Sequence, residues 1–251
     1  MSALQGSGAA PKGHGADWTD PPKGRLQRAP EAHSRQSPQS AQEAEQGRVP
    51  LRDTPERWPV LSSAVQARGP IVTLRSDQVQ MPDHEVADRQ VVEHPGAVGI
   101  VALDDVGRVL MIRQYRHPVA HRLWELPAGL RDVSGEPPRV TAERELLEET
   151  GYRARDWQIL IDFYSSPGIS TEWIRVFLAR DLVQVPAAQR DFVPKHEETQ
   201  LQIGWVDLDE ALGAFTAGDL HNGVAAVGIL SAYAARSSGF AGLRPADAAD
   251  D

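Results

Sequence analysis

Residues 126–152 read LPAGLRDVSGEPPRVTAERELLEETGY, and the second half of this stretch predicts a helix. Pro137 and Pro138 stand where the helix would begin, because a first helical turn tolerates proline, whose missing N–H would have no partner there. Gly151 stands where the helix would end, since helices often close with a residue in the left-handed conformation. The residues between them are rich in helix formers, so we expect a helix over residues 140–150.

Three glutamates of this predicted helix fall on one face. Glu145 is three positions before Glu148 and four before Glu149, and side chains at those spacings are neighbours on a helix surface. Like charges so placed repel, but a hard divalent cation would offset the repulsion, because Mg2+ prefers oxygen ligands and is commonly held by a few carboxylates and a substrate phosphate. The alternative is a solvated, charged helix face without a ligand.

The same stretch resembles the Nudix box, the signature of the Nudix hydrolase family. The residues that match it are Gly129, Glu136, Arg144, Glu145, Leu146, Glu148, Glu149, Gly151 and Tyr152. One spacing departs from the usual pattern, because Gly129 precedes Glu136 by seven positions instead of six. The additional residue falls in the loop before the helix, so the departure concerns the shape of the loop and leaves the glutamate face unchanged.

Composition limits the classes of function. The chain has 251 residues and a net charge of −9, which argues against non-specific nucleic-acid binding. It has no cysteine, which excludes disulfides, thiolate–zinc sites and a cysteine nucleophile. No apolar run is long enough to span a membrane, and the N-terminus has no apolar signal-peptide core, so we expect a cytoplasmic protein.

Three regions differ in composition. Residues 1–55 are mostly Gly, Pro, Ser, Gln and Ala and predict a disordered extension, with recruitment of a partner as an alternative role. Residues 56–240 are expected to form the folded domain, in which residues 56–95 supply N-terminal strands. Residues 241–251 are expected to be a flexible tail.

Strands outnumber helices in the expected domain. Hydrophobic periodicity predicts strands near residues 59–66, 71–81, 89–93, 97–103, 109–115, 157–163, 173–179 and 201–206, and later helices over residues 207–217 and 222–236. This pattern predicts an α+β fold. The Nudix resemblance implies the same architecture, a mixed β-sheet sandwiched between α-helices, here with an N-terminal antiparallel strand region.

Further motifs resemble the bacterial ADP-ribose pyrophosphatase branch of the family. They are Val91-Val92-Glu93-His94, Gln114-Tyr115-Arg116-His117, Leu123-Trp124-Glu125-Leu126-Pro127-Ala128-Gly129, Ser166-Pro167-Gly168 and His196-Glu197-Glu198. The branch implies hydrolysis of ADP-ribose to AMP and ribose 5-phosphate with Mg2+, or Mn2+ in its place. Another nucleoside diphosphate derivative, such as a nucleotide sugar or a dinucleotide coenzyme, is an alternative substrate. A non-catalytic ADP-ribose sensor is a further alternative, although the box glutamates are retained.

The resemblance also implies roles for particular residues. Glu145 and Glu149 match the principal metal ligands, and Glu148 and the backbone carbonyl of Ala128 match the others. Glu136 and Arg144 match a structural ion pair. The catalytic base of this branch lies on a loop before a late strand, which here indicates Glu198, with Glu197 as the alternative.

Substrate contacts are expected outside the box. Arg89 and Arg116 match positions near the substrate, although each could be an ordinary surface arginine. Tyr115 or Trp124 could stack on adenine, although a core position is the commoner fate of an aromatic residue. The segment from Ser166 to Gly168 is expected to be a substrate-facing loop or only a turn. The branch also implies a homodimer in which residues 59–81 exchange between subunits.

Overall fold

The computed structural model describes residues 51–190 and 199–250. The chain divides into two units, residues 1–55 and residues 56–251. In the first unit only residues 51–55 are described, and they are exposed and outside any helix or strand. The predicted disordered extension therefore lies almost entirely outside the described residues, and the proposed domain limits stay predictions.

The second unit contains all the helices and strands of the described residues. The strands are β1 (Val60–Arg68), β2 (Thr73–Gln80), β3 (Val86–Glu93), β4 (Ala97–Ala102), β5 (Arg108–Arg116), β6 (His121–Glu125), β7 (Ala128–Leu130), β8 (Tyr152–Tyr164), β9 (Trp173–Gln184), β10 (Gln202–Asp207) and β11 (Arg244–Pro245). The α-helices are α1 (Pro138–Thr150), α2 (Leu208–Ala217) and α3 (Gly223–Arg236). None of these helices has the length and apolar character needed to cross a membrane.

The strands form three sheets. β1, β2 and β3 make an antiparallel meander, as expected for the N-terminal strand region. A second sheet has the order β10-β5-β6, and a third has the order β11-β8-β9-β4-β7. The third sheet is mixed, because β4 runs parallel to β9 and antiparallel to β7.

Side-chain alternation along β4 explains how helices cover both faces of the mixed sheet. Val98, Ile100 and Ala102 belong to one apolar cluster together with Ala142 and Leu146 of α1. Val101 faces the other way and belongs to a second cluster with residues of α2 and α3, among them Leu208 and Ile229. The expected α+β fold, with a mixed sheet between helices, is confirmed.

The structure contains more strand than the sequence pattern predicted. β6, β7 and β11 were not expected, and β8 and β9 extend beyond residues 157–163 and 173–179. β7 has only three residues and no period-two pattern to reveal it; its position depends on pairing of Ala128 with Gly99 in β4.

The C-terminal residues also differ from expectation. Residues 241–251 were expected to be a flexible tail, but Arg244 and Pro245 pair with β8, and Ala246 is buried in the same cluster as α1. The backbone carbonyls of Ala248 and Ala249 accept hydrogen bonds from the buried Arg175 in β9. A composition of small residues gives no sign of these contacts, because they depend on a buried cation far away in the sequence.

Candidate active site

Helix α1 has the limits that its prolines and glycine predicted. Pro137 precedes it in an extended conformation, and Pro138 is its first residue. Gly151 closes it with φ of 74°, and its N–H donates to the carbonyl of Leu147 at 2.8 Å. The positive φ of Gly151 favours glycine there, and a Cβ would in addition displace the guanidinium of Arg190.

The inner turns of α1 bring two box glutamates against β7. The N–H of Ala128 donates to Oε2 of Glu149 at 3.0 Å. A Cβ at Gly129 would overlap the carboxyl group of Glu145, so only glycine lets the strand approach this side chain. Ala128 and Gly129 thus belong to a short strand that lies against the glutamate face of α1.

Both inner glutamates lie in an environment that disfavours their charge. Burial raises the pKa of Glu149 to about 8, the N–H of Ala128 opposes the shift, and the neighbouring charge of Glu145 adds to it. Burial raises the pKa of Glu145 to about 7, while Arg144 opposes the shift. At neutral pH a carboxyl group with a pKa of about 8 is mostly protonated and one with a pKa of about 7 is about half protonated, unless a cation joins them.

Arg144 contacts more of the box than the ion pair that was predicted for it. Its Nη2 lies 3.5 Å from Oε2 of Glu136, as the expected pair requires. Its Nη1 lies closer to Oε1 of Glu145, at 2.7 Å, and 3.4 Å from Oε2 of Glu148. The shortest contact of Glu136 is instead the hydroxyl of Thr141, which donates to it at 2.8 Å. Arg144 therefore holds Glu145 and Glu148 as well as the loop.

A buried carboxylate that sequence reasoning did not select lies beside these glutamates. Glu125, at the end of β6, is 2% exposed and accepts hydrogen bonds from Nε and Nη2 of Arg116 at 2.9 and 2.7 Å. The amide of Gln114 donates to it at 3.2 Å. The charge of Glu125 raises the pKa of Glu149, and that of Arg116 lowers it. Because Trp124 and Leu126 both face the α2–α3 cluster, strand alternation places Glu125 on the opposite face, and nothing local in the sequence indicates that Arg116 buries it there.

The box residues supply the oxygen ligands that a hard divalent cation prefers, but their side chains are not arranged as a preformed metal site. No three His, Asp or Glu side chains among the residues that the structure describes are already grouped for a metal ion. Glu145 and Glu149 nevertheless offer carboxylate oxygens beside the backbone of Ala128, with Glu148 on the same helix. Burial raises the pKa values of Glu145 and Glu149, so a bound cation would stabilise their charged forms. Oxygen ligands with excess negative charge are what Mg2+ and Mn2+ bind.

The predicted substrate residues are only partly brought together. Arg116 lies at the box glutamates, held by Glu125. Arg89 is exposed on β3, where its guanidinium donates to the carbonyl of Asp88 and lies near the sulfur of Met81. The Tyr115 ring is exposed, and its hydroxyl lies 3.3 Å from Nδ1 of His117.

Trp124 and the loop near Ser166 lie elsewhere. Trp124 packs against the α2–α3 side of the core and covers Gly204 of β10, opposite to the direction of the neighbouring Glu125. Stacking of adenine on Trp124, or on Tyr115, stays a prediction. Ser166 and Gly168 are exposed in the loop between β8 and β9, which is bonded to β3 through the N–H of Val92 and the carbonyl of Ile169. Glu197 and Glu198 lie outside the described residues.

Comparison with known proteins agrees with this geometry. The profile of the NUDIX domain matches residues 93–224. A Mycobacterium tuberculosis protein named ADP-ribose pyrophosphatase is 46% identical over 187 residues, which are 74% of this chain and 88% of that protein. A Bacillus subtilis protein of the same name is 38% identical over 144 residues, which are 57% of this chain and 75% of that protein.

A solved structure supports the fold independently of close sequence similarity. The structure titled "Crystal structure of ADP compounds hydrolase" superimposes with a TM-score of 0.62 over 75% of this chain and 99% of that chain, at 20% identity. At this identity the match speaks for the fold alone. The profile match, together with the identity to the mycobacterial protein over most of both chains, shows that this chain belongs to the Nudix family.

Proposed function

We propose that this protein hydrolyses the pyrophosphate bond of ADP-ribose, giving AMP and ribose 5-phosphate, with Mg2+ or Mn2+ as its cofactor. The observation that carries the proposal is the pair Glu145 and Glu149, buried beside Ala128 with raised pKa values. The pair lies in a chain that is 46% identical to a protein named for this activity.

The cation would be held by Glu145, Glu149, Glu148 and the backbone carbonyl of Ala128. When bound, such an ion neutralises the charge of a pyrophosphate and lowers the pKa of a coordinated water. Glu198, or Glu197, is proposed as the base that takes the proton of the attacking water. The protonated forms of Glu145 and Glu149 cannot bind the cation as carboxylates, so cation binding is coupled to the release of their protons.

Arg116 is the proposed contact to the phosphate groups. Glu125 accepts from Nε and Nη2 of its guanidinium, so the group is held in one orientation while about half of the side chain remains exposed. A planar guanidinium suits phosphate because it can donate two parallel hydrogen bonds. Arg89, Tyr115, Trp124, Ser166 and Gly168 remain proposed substrate residues, although no hydrogen bond or ion pair among the described residues joins them to the box.

The test is product analysis. The purified protein is incubated with ADP-ribose and Mg2+, with nucleotide sugars and dinucleotide coenzymes in parallel reactions. We expect AMP and ribose 5-phosphate, released faster from ADP-ribose than products are released from the other compounds. Faster cleavage of another compound would overturn the proposed substrate, and binding of ADP-ribose without any cleavage would overturn the proposed hydrolase.

We also propose a homodimer formed through the N-terminal strands. Every residue of β1 is exposed in the single chain, including the apolar Val60, Leu61 and Val65. A strand whose apolar side chains are left uncovered by the described residues favours pairing with another chain. Sedimentation should give twice the mass of the chain, and a fully active monomer would contradict the proposal.

The proposed cellular location is the cytoplasm, since the proposed substrate and products are nucleotides and sugar phosphates, which bear charges that hinder passage across a membrane. Cell fractionation with the full chain tests this. Recovery of the protein outside the cytoplasmic fraction would contradict it.

A further inference from the structure

A buried arginine organises the C-terminal residues. Arg175 of β9 is 1% exposed, and Asp162 of β8 accepts from its Nε and Nη2, each at 2.9 Å. Its remaining bonds go to the C-terminal segment, where the carbonyls of Ala248 and Ala249 accept at 2.8 and 3.1 Å. Oδ1 of Asp250 lies 3.1 Å from Nη1 of the same guanidinium. The buried cation thus holds residues 248–250 against the mixed sheet.

Asp250 makes a second ion pair with a residue of the box loop. Nη2 of Arg131 donates to Oδ2 of Asp250 at 2.7 Å. The guanidinium groups of Arg131 and Arg175 lie 5.1 and 4.9 Å from the ring centroid of Trp173, so both cations contact one indole. One carboxylate therefore joins a central strand of the sheet to the loop before α1.

Arg131 is the residue directly after β7. Its N–H donates to the carbonyl of Gly96 at 3.1 Å, which extends the pairing between β7 and β4 by one bond. β7 is a three-residue strand at the edge of its sheet, so few bonds hold it in place. Short edge strands open more easily than central ones, so we expect the Arg131–Asp250 ion pair at the end of β7 to contribute substantially to the local stability of this strand.

β7 is also the strand against which the box glutamates are placed. The N–H of Ala128 bonds Glu149, and Gly129 makes room for Glu145. We propose that Asp250 and Arg131 are positioning residues, which hold β7 against α1 by joining it to the buried Arg175. The C-terminal segment would then set the geometry of the glutamate pair without contacting a substrate.

The primary test is hydrogen exchange in the metal-free, full-length protein, which requires no activity. Asp250→Ala should speed the exchange of the amides of residues 128–131 by roughly three- to tenfold, with the amides of α3 unchanged. Asp247→Ala is the matched control, because Asp247 is exposed in the same segment and makes no ion pair among the described residues. Equal exchange in Asp250→Ala and the wild type, or an equal effect of Asp247→Ala, would overturn the proposal.

Two more variants distinguish loss of the Arg131–Asp250 ion pair from general destabilisation of the fold. Arg131→Gln breaks the same ion pair without touching Arg175, and it should speed exchange in the same residues as Asp250→Ala. Asp250→Glu retains the carboxylate and should restore slow exchange at least in part. A variant Asp250→Glu that exchanges as fast as Asp250→Ala would show that the carboxylate does not act through its charge.

A second measurement addresses catalysis and rests on the proposed function. For Asp250→Ala, the Mg2+ concentration for half-maximal hydrolysis should rise by roughly threefold, while the KM for ADP-ribose at saturating Mg2+ stays unchanged. An unchanged Mg2+ requirement with faster exchange would overturn the positioning role. If the wild type hydrolyses nothing, the proposed function fails, and the exchange experiment still decides whether the Arg131–Asp250 ion pair stabilises β7.

Discussion

Two groups of buried charges in this domain are neutralised to different degrees. The Arg175 guanidinium makes four hydrogen bonds, to Asp162 and to two backbone carbonyls, and an ion pair with Asp250. Glu149 has the N–H of Ala128 as its hydrogen-bond donor, and its pKa is about 8. The buried cation is thus matched by carboxylates and carbonyls, whereas burial of Glu149 is only partly offset by the N–H of Ala128 and the charge of Arg116.

This difference separates a structural cluster from a functional one. A buried charge with all of its partners is costly to disrupt, because removal of one partner leaves another charge unpaired. Buried carboxyl groups without sufficient partners are typical of sites that bind a cation or transfer protons. The comparison therefore predicts that changes at Glu149 affect activity, and that changes around Arg175 affect stability.

The largest expected effect is the loss of turnover in Glu149→Gln. The amide keeps the shape of the side chain but cannot supply a carboxylate to a cation, so turnover should fall by at least roughly a hundredfold. Glu143→Gln is the matched control on the same helix, because the Glu143 side chain is 42% exposed and, within the described part of the chain, pairs only with Arg139. Steady-state hydrolysis of ADP-ribose measures both, and full activity of Glu149→Gln would contradict its role.

The two candidates for the base are distinguished in the same assay. Glu198→Gln should reduce turnover by about two orders of magnitude, because the attacking water would lose its proton acceptor, while Glu197→Gln should have a smaller effect. Both variants should keep the thermal stability of the wild type. The reverse order of the two activities would assign the base to Glu197.

Asp162→Ala tests the structural cluster. It removes two hydrogen bonds from the buried Arg175 and one from Arg244, so the free energy of unfolding should fall by about 2 kcal/mol. Asp156→Ala on the same strand breaks an exposed pair with Arg180 and should cost less than about 1 kcal/mol. Urea unfolding compares the two, and equal losses would remove the distinction between buried and exposed pairs.

The smallest expected effect is a dependence of metal-free stability on pH. Glu145 and Glu149 have pKa values of about 7 and 8, above the ordinary 4.5, so folding favours their protonated forms. Their contribution to stability is complete below the ordinary value and is lost as the pH rises through about 8. Mg2+ should therefore raise Tm by a few degrees more at about pH 8.5 than at about pH 6. Thermal unfolding with and without Mg2+ measures this difference, and an equal rise at both values would contradict it.

The sequence predicted the helix and its glutamate face because the signals are local. Pro138 and Gly151 mark the limits of α1, and the spacing of Glu145 and Glu149 places them together on a helix of any fold. The nearly continuous apolar run of β4 is likewise typical of a strand covered on both faces, and the structure places helices on both.

Features that depend on distant contacts were not predictable in the same way. Glu125 is part of the site because Arg116, nine residues earlier, folds back onto it across the β5–β6 hairpin. The order of residues 244–250 depends on Arg175, which lies 73 and 74 positions before the carbonyls it binds. Small residues such as Ala248 and Ala249 carry no pattern that predicts such a contact.

The central claim is that Glu149 completes a cation site, and direct Mn2+ binding by calorimetry in the absence of substrate tests it. Mn2+ is suited to this measurement because oxygen sites take it as readily as Mg2+. We predict that Glu149→Gln binds Mn2+ at least roughly tenfold more weakly than the wild type, and that Glu143→Gln binds it equally well. Equal Mn2+ affinity of Glu149→Gln and the wild type would contradict the claim.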